Sequence, residues 1–453
     1  MPGQYVHPNW TPSLALFPLG ISIPSIIYSL YILAYPPSTS LGRKLCILLL
    51  AIPTAIVFRY SDHMFPNYDL VDTFGRACLI WFAHMSFEVC VLEFRPVVRQ
   101  PGQPGEVMDR FRQAYKVFFD RSRAQVLEQQ RDTLPTTSAA PSNPDKVYTA
   151  TDKKTDEPVV VAAKKIVRET GTSHYQHGYS RWQFVRYHVL KAAAMYALQR
   201  AWDTYDRHFS PLRQNPAAFI SHETVHFFRR LPASLHYKEL YYRTEEAFEW
   251  NIVTKCFYEG YHSVFAAAHV GLGIDTPEEW SLSLFGPISE AWSVRRYWSR
   301  YWHNYIYHSF SGHIKCVTRG WLGMRRGSVL TRLVENTLVF FASGLMHSLV
   351  RWQQAPQDDV WAITVFYLAQ MIPLVIESVV VYYWRKGKKT MGLTDDRKWL
   401  SCAEYAIGYA WTFGWQFYSV STYYLVRQQW TNEMMQKKWE AEFARMRLNE
   451  TTE

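Results

Sequence analysis

The chain has 453 residues, with 49 Lys and Arg against 39 Asp and Glu. Its formal net charge of +10 suits anionic lipid, a polyphosphate-bearing substrate or nucleic acid. Six cysteines, at 46, 78, 90, 256, 316 and 402, have neither C-x-x-C nor zinc-finger spacing, which argues against a disulfide framework and a cysteine metal centre. A mean hydropathy of -0.21 looks soluble, yet the charge is concentrated between apolar runs, and 18 Trp within 16% aromatics is the excess expected where rings line a membrane-water interface.

Ser13 to Tyr35 is uncharged and apolar, ends at Pro36-Pro37, and is long enough to cross a hydrocarbon core of about 30 Å. It starts late and lacks a basic leader, so it reads as a retained span rather than a cleaved signal. Leu45 to Phe58 and Ala77 to Leu92 follow, and the latter carries His84 and Glu88 four residues apart on one helical face. The pair is expected to satisfy each other; the alternative is a catalytic or transport role. Arg43 and Lys44 in the first loop, and the basic stretch from Arg95 to Lys165, place both on the cytoplasmic side and the N-terminus outside. The sequon Asn9-Trp10-Thr11 would then be open to glycosylation in the endoplasmic reticulum. Residues 129–158, rich in Pro, Ser, Thr and charge, cannot bury enough apolar surface to order themselves.

From Trp182 to Asp203 helical spacing returns with Arg186, Lys191 and Arg200, as in a helix lying at the interface. His222-Glu223-Thr224-Val225-His226 matches H-E-x-x-H, the zinc-protease pattern, with Glu245 or Glu246 as a possible third ligand. Against it, Arg229, Arg230 and Pro232 leave that helix very short. Asn251 to Gly273, Arg332 to Trp352, Trp361 to Trp384 and Ser401 to Leu425 supply further membrane helices, and Arg385 to Lys389 reads as a cytoplasmic stop.

Between Glu290 and Glu335 no acidic residue occurs, while Arg295, Arg296, Arg300, Lys315, Arg319, Arg325, Arg326 and Arg332 alternate with Trp292, Tyr297, Trp298, Tyr301 and Trp302. Cations partner phosphates and aromatic faces stack on a purine, a mixture suited to a nucleotide-bearing cofactor such as coenzyme A. The other reading is a loop kept basic by topology beside an aromatic belt. Nucleic acid fits less well, because the stretch abuts membrane spans and shows no nucleic-acid-binding module. His303 and Asn304 close the stretch. His347 then stands inside the apolar run Asn336 to Val350, where an ionisable group costs roughly 2.5 kcal/mol or more to insert. Ser343 and Gly344, four and three positions earlier, put small residues on its helical face, so another group can approach it. A neutral imidazole there can take a proton from an attacking hydroxyl. No H-x-x-x-D and no G-x-S-x-G motif is present, which leaves a serine-nucleophile route unsupported.

Pro277-Glu278-Glu279-Trp280 with Leu284-Phe285-Gly286, then Ser293 to His303, and Ser343-Gly344-Leu345-Met346-His347, resemble the wax synthase-like branch of membrane-bound O-acyltransferases. In particular they resemble fungal members that acetylate hydroxyls of terpenoid or polyketide-derived natural products. Ser299 replaces the family's glycine after Trp298, and Ser348 stands where an acidic residue often follows the histidine.

The resemblance implies an all-α, polytopic membrane bundle of about seven to nine spans around an internal chamber. It implies acetyl-CoA or another acyl-CoA as co-substrate, no bound cofactor or metal, and a small-molecule alcohol as acceptor. His347 is the expected general base, with His303 or Asn304 as the second polar catalytic residue. The expected donor site comprises Arg295, Arg296, Arg300, Trp298, Trp302, Lys315, Arg325 and Arg326. Residues 1–94 are then N-terminal membrane helices, 95–180 a cytoplasmic loop, and 181–453 an acyltransferase-like core with its signature at 277–352. Long-chain wax or sterol acyl transfer is the alternative chemistry. A zinc protease, or a transporter using His84, Glu88 and His347, are alternatives of other classes.

Overall fold

A computed structural model describes residues 10–66, 68–96, 105–119, 180–211, 237–280, 283–302, 307–354, 361–393 and 397–450; their regular structure is entirely helical. The N-terminal unit comprises α1 (Pro12–Ala34), α2 (Ser40–Arg59), α3 (Tyr68–Ser86) with a π turn at Phe87–Val91, and α4 (Glu106–Phe119). Hydroxyls inside the apolar runs are satisfied by their own helix: Ser25 donates to Ile21 O, Ser29 to Ser25 O and Thr54 to Leu50 O, each at 2.7 Å. Ile32, Leu33, Leu50, Met85, Val89 and Val117 form the shared core of these four helices.

Two polar residues in this unit depart from the sequence expectation. Arg43 is 1% exposed, and its guanidinium donates to Val89 O (3.1 Å) and Phe94 O (3.2 Å). Arg43 thus lies inside α2 and ties it to the end of α3, where the sequence predicts a basic residue of the first loop. His84 does not pair with Glu88: its Nε2 lies 2.7 Å from Val117 O, and Glu88 Oε1 is buried without a hydrogen-bond partner among the described residues. The backbone carbonyl of α4 outcompetes a carboxylate one turn away because the packing of α4 brings it there.

The second half begins with α5 (Arg181–His208), opened by a capping box in which Ser180 and Gln183 exchange side-chain and backbone hydrogen bonds. Then come α6 (Tyr237–Phe248), a π turn at Glu249–Val253 and α7 (Thr254–Gly271). Helices α5 and α7 pack together through Lys191 and Glu259, 2.5 Å apart. Glu259 also accepts from Ser283 Oγ (2.6 Å) and Phe285 N (2.8 Å), so it anchors the segment that follows. Short 3-10 turns at Pro277–Trp280 and Ile288–Glu290 lead to a helical turn at Val294–Arg296 that widens into a π turn at Tyr297–Tyr301. The chain continues through α8 (Tyr307–Lys315), a π turn at Cys316–Trp321, α9 (Val329–Gln354), α10 (Ala362–Ala369), α11 (Met371–Thr390) and α12 (Lys398–Glu450).

Among the described residues five helical stretches are long and apolar enough to cross a membrane: Pro12–Ala34, Ser40–Arg59, Leu70–Val91, Val329–Gln353 and Ala362–Thr390. That is fewer than the about seven to nine expected from apolar runs. Asn251–Gly273 and Ser401–Leu425 fold as helices but are not among the five, since residues such as Lys255, Glu259, Glu404 and Gln416 dilute their apolar character. Exposed Leu16, Ile23, Leu48, Ile52, Val379 and Val380 give α1, α2 and α11 the outward apolar surface of lipid-facing helices.

Candidate active site

The segment resembling the acyltransferase signature is tied to the N-terminal unit by a buried ion cluster. Lys116 of α4, fully buried, pairs with Asp275 and with Glu279 Oε2 (2.6 Å). Asp275 also accepts from Trp280 Nε1 at 2.7 Å, and Glu279 from Thr276 N at 2.8 Å. A Cβ on Gly286 would collide with Arg300 O, so glycine is what lets Leu284-Phe285-Gly286 lie against the Tyr297–Tyr301 turn, where Gly286 N donates to Tyr301 O at 2.9 Å.

That turn is held mainly by aromatic packing. Tyr297 OH accepts from Trp250 Nε1 (3.0 Å) and donates to Asn251 Oδ1 (2.9 Å); Tyr301 OH donates to Asn251 O (3.2 Å). Trp302 is 5% exposed, stacked on Trp250 at 4.9 Å and 2° between ring planes, and near-parallel to Tyr297 at 5.6 Å. Its ring contacts are thus supplied by the protein. Trp298 packs edge-on against Phe340 (5.5 Å) and tilted against Tyr367 (6.4 Å), with its indole N–H buried and without a hydrogen-bond partner among the described residues.

His347, 8% exposed on α9, lies face to face with Tyr367 of α10, with centroids 4.9 Å apart and planes at 13°, and edge-on to Tyr423 of α12 at 6.0 Å. Ser348, next to it, pairs its hydroxyl with Thr364 at 2.7 Å. The small face before His347 has a definite use. A Cβ on Gly344 would meet Thr364 Cα at 2.8 Å and Tyr367 Cβ at 3.0 Å, so the glycine admits the backbone of α10 and thereby sets the Tyr367 ring over the imidazole.

The cations separate into two groups. Arg296 and Arg300 both reach Glu290, the latter at 3.4 Å, and Arg296 also lies over the Trp292 ring at 4.8 Å. Arg295 donates to Ser378 Oγ at 2.7 Å, and Arg319 is bidentate on Glu335 at 2.6 and 2.8 Å. Lys315 is half-buried, whereas Arg325 and Arg326 are exposed in the loop before α9. Glu290 and Glu335 bound the acid-free stretch in sequence, yet the fold turns both inward as counter-ions.

His303 and Asn304, Asn9, residues 129–158 and the His222–His226 motif lie outside the described residues. Glu245, the possible third zinc ligand, accepts from Tyr205 (2.8 Å), Tyr241 (2.7 Å) and Ser210 (2.9 Å) hydroxyls. Among the described residues no group of three or more His, Cys, Asp or Glu is placed to hold a metal ion. His84 is bound to Val117 in the N-terminal core, whereas His347 packs with the Tyr367 and Tyr423 cluster.

Sequence reasoning missed Tyr367 and Tyr423, which lie in runs legible only as apolar membrane helices. No signal short of the helix pairing links either to His347.

Residues 280–368 match the membrane bound O-acyl transferase family. The chain is 28% identical over 181 residues to acetyltransferase nanB of Aspergillus nanangensis, covering 40% of this chain and 42% of that protein. It is 29% identical over 171 residues to acetyltransferase ataH of Aspergillus terreus, covering 38% and 53%. To acetyltransferase TRI7 of Fusarium sporotrichioides it is 25% identical over 169 residues, covering 36% and 37%. The matched segments thus span about half or less of these curated relatives. No solved structure matches the chain. The stretch 280–368, which contains both His347 and its Tyr367 neighbour, is thus where the chain matches the membrane bound O-acyl transferase family, and the chain is also similar to fungal proteins named acetyltransferases.

Proposed function

We propose that this protein is an acyl-CoA-dependent O-acyltransferase, passing an acetyl group to a hydroxyl of a terpenoid or polyketide-derived natural product in a multi-pass membrane setting such as the endoplasmic reticulum. The observation that carries the reading is His347: a titratable ring buried in an apolar helix, held between Tyr367 and Tyr423, within the stretch matching the family. The acetyltransferase names of the relatives support the acetyl group.

In this reading donor and acceptor are bound together and no acyl-enzyme forms. His347 takes the acceptor's hydroxyl proton as its oxygen attacks the thioester carbonyl. His303 or Asn304 hydrogen-bonds the oxygen on which charge develops. The tetrahedral intermediate expels the coenzyme A thiolate, which is protonated by the imidazolium, so the base is regenerated. Arg325 and Arg326 hold the donor's phosphates, with Lys315, Arg295, Arg296 and Arg300 as further cations of the donor site and Trp298 and Trp302 as its aromatic residues.

The test is transfer of label by membranes containing the protein from acetyl-CoA or palmitoyl-CoA to hydroxylated terpenoids, polyketides, sterols and long-chain alcohols. The expected result is acetyl transfer to a natural-product alcohol, absent in His347→Ala. Transfer from palmitoyl-CoA alone would establish the wax or sterol chemistry instead.

A further inference from the structure

One face of α12 gathers in a single row the kind of buried, unpartnered polar group that occurs singly elsewhere among the described residues, as at Ser263 of α7. Gly408, Thr412, Gln416, Ser419 and Tyr423 are spaced by four, four, three and four residues, which places them in one row along the helix. Thr412, Gln416 and Ser419 are each 0% exposed. Among the described residues neither hydroxyl, nor either polar atom of the Gln416 amide, has a hydrogen-bond partner. Elsewhere Ser22, Ser25, Ser29, Thr54, Thr318 and Ser378 all donate to the carbonyl one turn back. The row on α12 thus keeps three uncompensated polar side chains in succession, each carrying a desolvation cost that no hydrogen bond offsets.

The two ends of the row fix its place. A Cβ on Gly408 would strike Trp292 O, so this end lies directly against the loop on which Arg296 covers Trp292. Tyr423, at the other end, meets the edge of His347. At 1.5 Å per residue the row runs roughly 22 Å from the cationic loop to the candidate base. A ligand that follows it needs phosphate at one end, a reacting group at the other, and donors and acceptors between.

We propose that this face of α12 is the track for the pantetheine arm of the acyl donor, with Gln416 bonding an amide of the arm and Thr412 and Ser419 its remaining polar atoms. The assignment rests on the reading of the chain as an acyl-CoA-dependent transferase. It names residues that neither the acyltransferase signature nor the basic stretch contains.

The test compares wild type with Gln416→Leu, and with Thr412→Val and Ser419→Ala as smaller changes should Gln416→Leu fail to fold. Donors are acetyl-CoA and acetyl-pantetheine, which lacks the nucleotide, and each enzyme is also melted thermally in detergent. One neutral hydrogen bond lost on binding should raise KM about fivefold. The expected result is that rise for both donors with Gln416→Leu, an unchanged acceptor KM, and an unlowered melting midpoint because the amide had no partner to lose. Charge reversal at Arg325 and Arg326 should raise KM for acetyl-CoA but not for acetyl-pantetheine. A change confined to the acceptor KM would assign the face to the alcohol and overturn the proposal, as would unchanged kinetics in all three variants. If wild type transfers acetyl from neither donor, the transferase reading itself falls and the assignment with it; an active wild type separates the two failures.

Discussion

The imidazole of His347 and the phenol ring of Tyr367 lie parallel, 4.9 Å apart, across the junction of α9 and α10. Ring pairs of this kind contribute about 0.5–1.5 kcal/mol beyond the area they bury, enough to limit the orientations of an imidazole on an otherwise apolar helix. A neighbouring helix therefore contributes to the orientation of the candidate base, while Ser348, the residue after it, faces Thr364. That serine bonds the Thr364 hydroxyl and helps fasten α10.

His347→Ala is expected to lower acyl transfer by at least about 100-fold, because general base catalysis is typically worth 10² to 10⁴. Expression and membrane insertion should stay near wild type, since removing a polar group from an apolar helix does not hinder insertion. Activity above about a tenth of wild type would end its role as base. Tyr367→Leu should lower kcat by about 3- to 10-fold with donor KM unchanged, reflecting the loss of a ring contact of about 1 kcal/mol.

Gly344→Val tests whether close approach of the helices sets this geometry. Its side chain would be forced against Thr364 Cα and Tyr367 Cβ, backbone and near-backbone atoms that cannot swing aside. Overpacking of this kind costs about 1–3 kcal/mol, so the melting midpoint should fall, and kcat should fall with it as Tyr367 is pushed off His347. Gly414→Ala on α12 is the control: nothing lies within 4 Å of its Cβ, and the gain in helix propensity of about 1 kcal/mol should leave the protein as stable or slightly more so. Equal effects of the two substitutions would remove the argument from Gly344.

The apolar runs disclosed α1, α2, α3, α9 and the α10–α11 stretch, because length and hydropathy are local properties. His347 was legible for the same reason: a charge-capable residue in such a run is conspicuous. The partners of that residue were not legible, since Tyr367 and Tyr423 reach it only through pairing of α9, α10 and α12. The cations show the converse. Their density was plain in the sequence, but Arg296, Arg300 and Arg319 are opposed by Glu290 and Glu335, which only the fold brings beside them. Likewise the His84 and Glu88 spacing is that of a helical pair, yet His84 is engaged by Val117 from α4.

The division among the cations predicts different outcomes for charge reversal. Arg325→Glu with Arg326→Glu should raise donor KM severalfold, leave acceptor KM alone and reduce the dependence of donor KM on salt, because exposed charges act on phosphates through screened attraction. Arg296→Glu places a second carboxylate beside Glu290, so it should lower stability as well as donor affinity. Steady-state kinetics at two ionic strengths, with thermal melting alongside, separates the two. If the double variant alters only the acceptor KM, the exposed arginines are not donor-phosphate ligands.

Lys116 gives a prediction independent of any substrate. Its ammonium is fully buried and faces Asp275 and Glu279, so Lys116→Met would strand two carboxylates away from water. Breaking a buried ion pair from one side costs about 3–5 kcal/mol, more than the pair itself is worth, because the remaining charge is uncompensated. Thermal unfolding in detergent should show a large loss for Lys116→Met. Adding Asp275→Asn and Glu279→Gln should restore much of it: the amides carry no charge yet keep oxygen acceptors for Trp280 Nε1 and Thr276 N. Activity should follow the folded fraction in both variants, with KM for donor and acceptor unchanged, since the cluster acts by holding the Pro277–Trp280 turn to α4. A Lys116→Met protein within about 0.5 kcal/mol of wild type would mean that the carboxylates are solvated or protonated in the membrane protein, and that this tie between the two halves is weaker than its burial implies.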